Sequence, residues 1–347
     1  MEYRVKVEKM RQIIEAVYER AGLKTVDAKR VTDNLLFADM RGIYSHGLVK
    51  VPTYVRWIEE GKIKISPQIQ MVQESESCAT IDADFAPGSV AGVHAMDYTI
   101  EKAKKCGLAM TTVKNGTHFG AAAYYALRAV KENMIGIALT NSVKLMAPYG
   151  GYERELGTNP ICIAVPGTKT IVYDGATSIA AYNKIFLANA ENRHIPDNWA
   201  LDNKGHSTTN PEDVVVHGGA VRPFGEYKGY GLAVMVQILT GILSGGSIVR
   251  EKNEVKENVD ATAYSFMVID ISKFTELEAF KKTVDIFGER LKKSLKQDGV
   301  KEIYLPGEIE ELKYKESEEQ GIKIHEDVIK SLKQTVENLK MKFELDY

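Results

Sequence analysis

Two histidines in glycine-flanked segments are the side chains best suited to proton transfer in this sequence. His46 lies between Ser45 and a glycine, four residues before Lys50. His118 lies in the segment 115–121, which reads N-G-T-H-F-G-A. An imidazole has an unperturbed pKa of about 6.5, so each ring can exchange a proton at neutral pH. A surface-turn histidine is the competing interpretation of His46, and a helix-capping histidine is that of His118.

Two further segments carry polar groups beside glycines. Lys228 lies between glycines, in the segment 222–231 that opens a long apolar stretch, and a lysine there can meet a phosphate or carboxylate as a point charge. A solvated lysine is the alternative. The segments 140–142, 147–151 and 156–160 are rich in Gly, Asn and Pro. That composition is typical of turns, which is the simpler interpretation of these three segments.

The elements that position these residues follow from hydrophobic periodicity. Helical spacing fills the first sixty residues and returns in the last forty. Between them, short β-rich runs alternate with helical stretches near 89–105, 119–133, 178–191, 229–244 and 275–296. This alternation predicts an α/β fold with a mixed or largely parallel sheet. We predict an α/β domain over 73–308, packed beside a mainly helical unit formed by 1–72 and 309–347.

Composition and absent motifs exclude several function classes. The 347 residues carry 45 basic and 47 acidic side chains, a balance that argues against a nucleic-acid or membrane-surface partner. No apolar run is long enough to span a bilayer, and three scattered cysteines fit a reducing compartment. We therefore expect a cytoplasmic protein. The sequence lacks GxGxxG, GxxxxGK[ST], HExxH and metal-ligand spacings, so we expect neither a Rossmann fingerprint nor a metal site.

Eight short motifs follow one another along nearly the whole chain. They are A-D-M-R-G-I-Y-S-H-G (38–47), T-H-F-G (117–120), T-N-S (140–142), P-Y-G-G (148–151), L-G-T-N-P (156–160), D-G-A-T-S (174–178), K-G-Y-G-L-A (228–233) and L-P-G-E (305–308). In this order the chain resembles the malate/L-lactate dehydrogenase family of the non-Rossmann type, which includes sulfolactate and ureidoglycolate dehydrogenases.

The resemblance implies a non-Rossmann dinucleotide-binding α/β domain, NAD or NADP as cofactor and a homodimer with its active site near the partner subunit. It assigns the acid/base role to His118, with Ser45 and His46 holding the substrate or relaying protons. Substrate contacts fall on Lys50 and Thr158. The implied cofactor contacts are His118, Phe119, Gly120, Ala121, Ala122, Ser142, Asp174, Gly175, Ala176, Lys228, Gly307, Glu308 and Ile309.

Three departures from the family pattern bear on the substrate. Many members have an arginine where this chain has Lys50, a less directional partner for a carboxylate, and Arg41 or Arg56 is the alternative cation. Imine-reducing relatives have an aspartate at the position of Lys184, so hydroxy-acid chemistry is favoured here. Gly175 replaces a frequent methionine. Tyr182-Asn183 occupies a position where a small residue and glycine are common.

The function expected is therefore hydride transfer between a nicotinamide cofactor and a small 2-hydroxy or 2-oxo acid of the malate, lactate or sulfolactate type. Two alternatives stay open at this point. Ureidoglycolate dehydrogenase shares every motif, because the side chains that separate these substrates lie outside the motifs. A catalytically silent dinucleotide-binding protein is the alternative from another class, although the joint presence of Ser45, His46, His118 and Lys228 argues against it.

Overall fold

The structure is a computed structural model that describes residues 2–246 and 261–342. Its α-helices are α1 (Val7–Arg20), α2 (Thr25–Met40), α3 (Val51–Glu59), α4 (Gly88–Cys106), α5 (Ala122–Lys131), α6 (Tyr182–Ala190), α7 (Pro211–Val215), α8 (Tyr227–Gln237), α9 (Leu277–Lys292), α10 (Glu308–Gln320) and α11 (Glu326–Asn338). Its strands are β1 (Glu2–Val5), β2 (Gln70–Glu74), β3 (Cys78–Asp82), β4 (Leu108–Gly116), β5 (Met134–Thr140), β6 (Ile161–Val165), β7 (Ile171–Gly175), β8 (Ala200–Leu201), β9 (Ser207–Thr208), β10 (Ala220–Val221), β11 (Thr262–Asp270) and β12 (Ile322–His325).

A seven-stranded mixed sheet forms the centre of the fold, in the order β2-β3-β4-β11-β5-β6-β7. The expected α/β class is therefore confirmed. Only β3 and β4 run parallel, and the other neighbours are antiparallel, so the sheet is not largely parallel. The reason is β11, which inserts between β4 and β5 and runs antiparallel to both. Local periodicity does not reveal that a strand from so far along the chain separates these two.

Helices α4 and α5 pack with the sheet around a core of small and aromatic side chains. Phe119 lies in this core, with its ring stacked 4.9 Å from both Tyr125 and Tyr264 (centroid to centroid). The Tyr264 hydroxyl donates to the carbonyl of Thr117. These contacts fix the backbone on both sides of His118.

A second hydrophobic cluster combines helices from both ends of the chain, including Ile14, Leu35 and Val55 with Leu332 and Val336. The boundaries predicted at residues 72 and 308 stay a prediction. None of the helices in the described ranges is long and apolar enough to cross a membrane.

The helical expectation for both ends of the chain was wrong at two short segments. Glu2–Val5 and Ile322–His325 form an antiparallel pair. Their four-residue lengths carry little periodicity, and each strand is defined only by a partner more than 300 residues away. The strands β8, β9 and β10, of two residues each, were missed for the same reason of length. Strand β2 was missed because all five of its residues are exposed, so it has no alternation of buried and exposed positions.

Three predicted helices begin at other residues than expected. The helix expected from 119 begins at Ala122, because Gly120 has a positive φ of 77° that keeps the preceding segment a loop. The helix expected from 178 begins at Tyr182. The helix expected over 229–244 begins at Tyr227 and becomes a π-helical turn over Ile238–Ile242.

One edge of the sheet gathers the segments that carry the predicted site. Thr262 of β11 pairs with Gly116 at the end of β4, and Tyr264 pairs with Thr140 at the end of β5. Ile161, which begins β6, pairs with Gly175 at the end of β7. The residues that follow β4, β5 and β7, and those that precede β6, therefore lie along the same edge.

Candidate active site

Side chains from three elements meet in the cluster around His118. Two consecutive 3₁₀ turns, Tyr44–His46 and Leu48–Lys50, carry Ser45, His46 and Lys50. His118 enters from the loop after β4, and its ring stacks on that of His46 with 5.4 Å between ring centroids and an interplanar angle of 18°. The structure thus brings together two predicted imidazoles that lie 72 positions apart.

Tyr54 on α3 completes the cluster and was not predicted. Its hydroxyl lies 2.5 Å from Nδ1 of His118, and the side chain is 6% exposed. Burial raises the pKa of the Tyr54 hydroxyl, so the phenol stays protonated. A phenol can donate to a bare ring nitrogen or accept from a protonated one. The contact therefore holds the His118 ring in either protonation state and leaves Nε2 for a reacting oxygen.

Burial keeps both imidazoles neutral. It lowers the pKa of His46 to about 4, with the charge of Lys50 adding to the effect. For His118, burial lowers the pKa well below its usual value, and His46 and Lys50 contribute in the same direction. The orientation of His46 is set by Ser45, whose Oγ lies 2.8 Å from Nδ1, and the Ser45 carbonyl accepts from Asn183 Nδ2 at 3.3 Å.

Lys50 is the cation of this cluster. Burial lowers its pKa, and in the described part of the chain no carboxylate forms an ion pair with it. The two alternative arginines are engaged elsewhere, since Arg41 pairs with Glu311 at 3.0 Å and Arg56 with Glu60 at 3.9 Å. An unpaired, partly desolvated ammonium group is suited to hold an anionic substrate.

A second group forms where β5 ends and β6 begins. The Oγ of Ser142 accepts the backbone N–H of Thr158 at 2.9 Å and lies 3.3 Å from the Thr158 hydroxyl oxygen. Asn159 joins them by accepting the N–H of Ser142 at 3.1 Å, and its amide donates to the carbonyl of Ala233 in α8 at 2.9 Å. The predicted Ser142 and Thr158 are therefore in direct contact.

A third group surrounds Asp174 at the end of β7. Its carboxylate accepts the N–H of Ala123 in the first turn of α5 at 2.9 Å. Desolvation raises the pKa of the Asp174 carboxyl group to about 6, although the residue as a whole is exposed, and the Ala123 hydrogen bond and the positive charge of Arg41 oppose this effect. The Arg41 guanidinium also reaches the carbonyl of Gly307 at 3.5 Å. Asp174, the start of α5 and Gly307 are thus neighbours.

This third group fits a dinucleotide. Helices α5 and α10 begin after Ala121 and Gly307, and neither of these residues caps its helix with a side chain. Asp174 accepts the N–H of Ala123, and the other N–H groups of the two first turns are suited to phosphate oxygens. A Cβ on Gly307 would lie 2.8 Å from the Val172 Cβ, so only glycine fits that turn. The Nε of Arg41 is buried without a hydrogen-bond partner among the described residues, and it is a donor suited to an anionic ligand.

Four of the predicted cofactor residues differ from the others in their surroundings. The ring of Phe119 is part of the hydrophobic core, so its side chain faces no ligand. The carboxylate of Glu308 accepts the N–H of Leu305 at 2.9 Å and pairs with Lys292. Lys228 and Ile309 are exposed, and the Lys228 Nζ lies 5.9 Å from the ring centroid of Tyr227. Gly120, Ala121 and Ala176 lie on the loops beside these groups, whereas Ala122 is the first residue of α5 and Gly175 is the last residue of β7.

In residues 2–246 and 261–342, no group of three or more His, Cys, Asp or Glu side chains is arranged to hold a metal ion. The reasoning from sequence missed Tyr54 because its partner lies 64 positions away. Helical spacing could not have revealed it either, because Gly47, with φ −94° and ψ −143°, interrupts the helical path between His46 and Tyr54.

The lowered pKa of His46 predicts a pH-dependent contribution to stability. The folded protein binds the His46 proton only near pH 4, whereas the unfolded chain binds it near its ordinary value of about 6.5. The wild-type free energy of unfolding should therefore fall, relative to that of His46→Gln, as the pH drops from about 6.5 to about 4. Urea denaturation of both proteins across this range measures the difference. Parallel pH curves would contradict it.

Comparison with known proteins places this site in a family. The family model for malate/L-lactate dehydrogenase matches residues 5–333. A malate dehydrogenase from Pyrococcus horikoshii is 40% identical over 337 residues, covering 95% of this chain and 93% of the relative. An L-sulfolactate dehydrogenase from Methanocaldococcus jannaschii is 37% identical and covers 99% of each chain. The ureidoglycolate dehydrogenase (NAD(+)) of Escherichia coli O157:H7 is 32% identical, over 94% of this chain and 93% of the relative.

A solved structure supports the same assignment. The malate dehydrogenase structure from Pyrococcus horikoshii OT3 superposes with a TM-score of 0.91 at 37% identity, covering 98% of this chain and 97% of that one. Sequence and architecture therefore agree over nearly the whole length. The chain belongs to the malate/L-lactate dehydrogenase family of hydroxyacid oxidoreductases.

Proposed function

We propose that this protein oxidises a small 2-hydroxy acid of the malate, sulfolactate or lactate type, and reduces the corresponding 2-oxo acid, with His118 as the acid/base. The observation that carries the proposal is the neutral His118 imidazole, held at Nδ1 by Tyr54 and adjacent to the unpaired Lys50. A proton-transfer group beside a cation is what a 2-oxo acid requires, because its carbonyl and carboxylate are attached to each other.

Lys50 has the first task in this mechanism, which is binding. Its ammonium group pairs with the substrate carboxylate, and the low local polarity strengthens that attraction. The bound carboxylate also offsets the charge by which Lys50 lowers the pKa of His118. Substrate binding thus raises the affinity of His118 for a proton just where a proton donor is needed.

His118 has the second task, which is proton transfer at Nε2. In oxidation the proton of the substrate hydroxyl moves to Nε2, and in reduction Nε2 returns it to the oxygen of the former carbonyl. Tyr54 accepts from Nδ1–H in both states of the ring, because Nε2 of the neutral ring is free to take a proton only when Nδ1 carries one. Ser45 orients His46, whose ring stacks on that of His118. NAD or NADP, when bound, supplies the hydride acceptor or donor.

The residues that would hold the cofactor are the starts of α5 and α10, Asp174 to Ala176, and Ser142 with Thr158. Thr158, whose hydroxyl oxygen lies 3.3 Å from that of Ser142, is the residue of this group that would contact the substrate. We propose Lys228 as a phosphate partner that reaches the cofactor from the exposed start of α8. A cytoplasmic location is part of the same proposal.

A panel assay tests the reaction. Oxaloacetate, pyruvate, sulfopyruvate and 2-oxoglutarate are each mixed with purified protein and NADH or NADPH, and ureidoglycolate is tested in the oxidative direction. We expect turnover of at least one 2-oxo acid, measured as the loss of absorbance of the reduced nicotinamide. Turnover of ureidoglycolate alone would replace the substrate assignment. Cofactor binding with no turnover of any compound would favour the catalytically silent alternative.

Replacement of His118 tests its role. We expect His118→Ala to lower kcat by about 100-fold or more, because general acid/base catalysis typically contributes that factor. Tyr54→Phe keeps the aromatic packing and removes only the hydroxyl, so a smaller loss of kcat and a displaced pH profile are expected. NADH binding, followed by fluorescence, serves as the folding control. A His118→Ala variant with near-wild-type kcat would remove the assignment.

We also propose that the protein is a homodimer and that α8 lies in the interface. No charged residue occurs from Gly229 to Gly246, and Ala233 and Val236 face the core. The other side of this helix is apolar as well, with 40–50% of each side chain exposed at Leu232, Met235, Ile238 and Ile242. A helix that is apolar all round is normally covered on both sides. A second copy offers the matching uncharged surface by symmetry.

Light scattering after size-exclusion chromatography tests the interface. The molar mass of the wild-type protein should be twice that of one chain. Met235→Glu should shift the equilibrium from dimer toward monomer, because the dimer would bury the new carboxylate without a partner. Leu295→Glu is the matched control, since Leu295 is 100% exposed and outside α8. A Met235→Glu variant that elutes as the wild type does would exclude this face.

A further inference from the structure

A buried carboxylate lies behind the two turns that carry His46 and Lys50. Asp39, one residue before the end of α2, is only 6% exposed. Its Oδ2 accepts the backbone N–H of Leu48 at 2.9 Å. Leu48 is the first residue of the second turn, so this hydrogen bond ties the start of that turn to the end of α2.

The same carboxylate also packs against the backbone between the turns. A Cβ added to Gly47 would lie 1.8 Å from Asp39 Oδ1 and 2.2 Å from its Cγ. At the negative φ of −94° that Gly47 adopts, the three atoms nearest to such a Cβ all belong to the Asp39 carboxylate, which is therefore the steric obstacle to a larger side chain there. Asp39 and Gly47 thus fit each other at the junction between the two turns.

This junction determines where two groups of the active site lie. The turn before Gly47 ends with His46, and the turn after it ends with Lys50. We propose that Asp39 is a positioning residue that, by holding Gly47 and Leu48, sets the places of His46 and Lys50 relative to His118. The inference rests on the proposed function, because it concerns the geometry of that same reaction.

Stability alone does not account for a carboxylate at this position. No ion pair to Asp39 exists within the described ranges, and the Leu48 N–H is the hydrogen-bond donor that reaches it there. Burial raises the pKa of Asp39 to about 7 despite that hydrogen bond, so the environment disfavours its charge. Burying an unpaired carboxyl group is costly, and an apolar side chain at the end of α2 would avoid that cost. What the carboxyl group adds is a hydrogen-bond acceptor for the backbone of the turns that carry His46 and Lys50.

Steady-state kinetics of Asp39→Ala and Asp39→Asn test the proposal. Alanine removes the acceptor, and we expect kcat/KM for the 2-oxo acid to fall about 10- to 100-fold, the scale associated with misplacing a reacting group by about 1 Å. Asparagine keeps an acceptor in a side chain of the same shape, so kcat/KM of Asp39→Asn should be within about threefold of the wild-type value. The Kd for NADH should stay within about twofold, because the groups that fit the dinucleotide are held by other contacts.

Asp27→Ala is the matched control. Asp27 is on the same helix, is 9% exposed and lies 3.6 Å from Arg30, far along the chain from both turns. It should keep the wild-type kcat/KM. A loss as large as that of Asp39→Ala would show a general effect of weakening α2, and would overturn the proposal.

Gly47→Ala provides a second test, and the single variant does not depend on the folding of Asp39→Ala. The added methyl meets the Asp39 carboxylate, so the single variant should lose kcat/KM. In Asp39→Ala/Gly47→Ala the obstacle is gone, and the double variant should be no worse than Asp39→Ala alone, a non-additive result. Additive losses would overturn the inference, as would an active Asp39→Ala or an Asp39→Asn as defective as the alanine variant. If the wild type itself turned over no 2-oxo acid, the proposed function would fail instead.

Discussion

The partial burial of the stacked imidazoles of His46 and His118 is the constraint on which the rest of the site depends. Desolvation keeps both rings uncharged, and this neutrality allows two titratable rings to lie face to face beside a lysine. Were the rings solvated, each would gain charge readily in mildly acidic conditions and repel Lys50. Tyr54 closes the site from α3 and supplies a hydrogen bond that does not alter the charge.

The central sheet holds the His118 loop in its place. The loop that carries His118 is anchored on one side by the Phe119 ring in the core and on the other by the Tyr264 hydroxyl on the Thr117 carbonyl. Since Tyr264 belongs to β11, the strand that separates β4 from β5, the same strand braces both the His118 loop and the segment that leads to Ser142. The loop that we propose for proton transfer and the residues that we propose to hold the dinucleotide are thus both held in place by β11.

The sequence contained enough to predict the residues that we propose for the chemistry, but not their arrangement. Ser45, His46 and His118 lie in glycine-flanked segments with recognisable motifs, and the alternation of strands and helices indicated the α/β class. The roles of Tyr54 and Asp39 were not predicted, because each side chain contacts a partner that only the fold brings near. An aspartate on an amphipathic helix also has the same sequence pattern as a solvent-exposed one. Phe119 shows a different limit, since its place inside a motif says nothing about which way its ring points, and the ring packs in the hydrophobic core. Pairing of strands distant in sequence, as for β1 with β12, is likewise not encoded in local periodicity.

The late position of β11 in the chain affects how the protein folds during its synthesis. Synthesis proceeds from the N-terminus, so β4 and β5 emerge from the ribosome more than 120 residues before the strand that must lie between them. Until Thr262–Asp270 arrives, the two strands either stay apart or pair wrongly with each other, and a slow, non-local step completes the sheet. The nascent chain therefore has no catalytic centre, and its exposed strand edges during this interval are surfaces that a chaperone would have to protect.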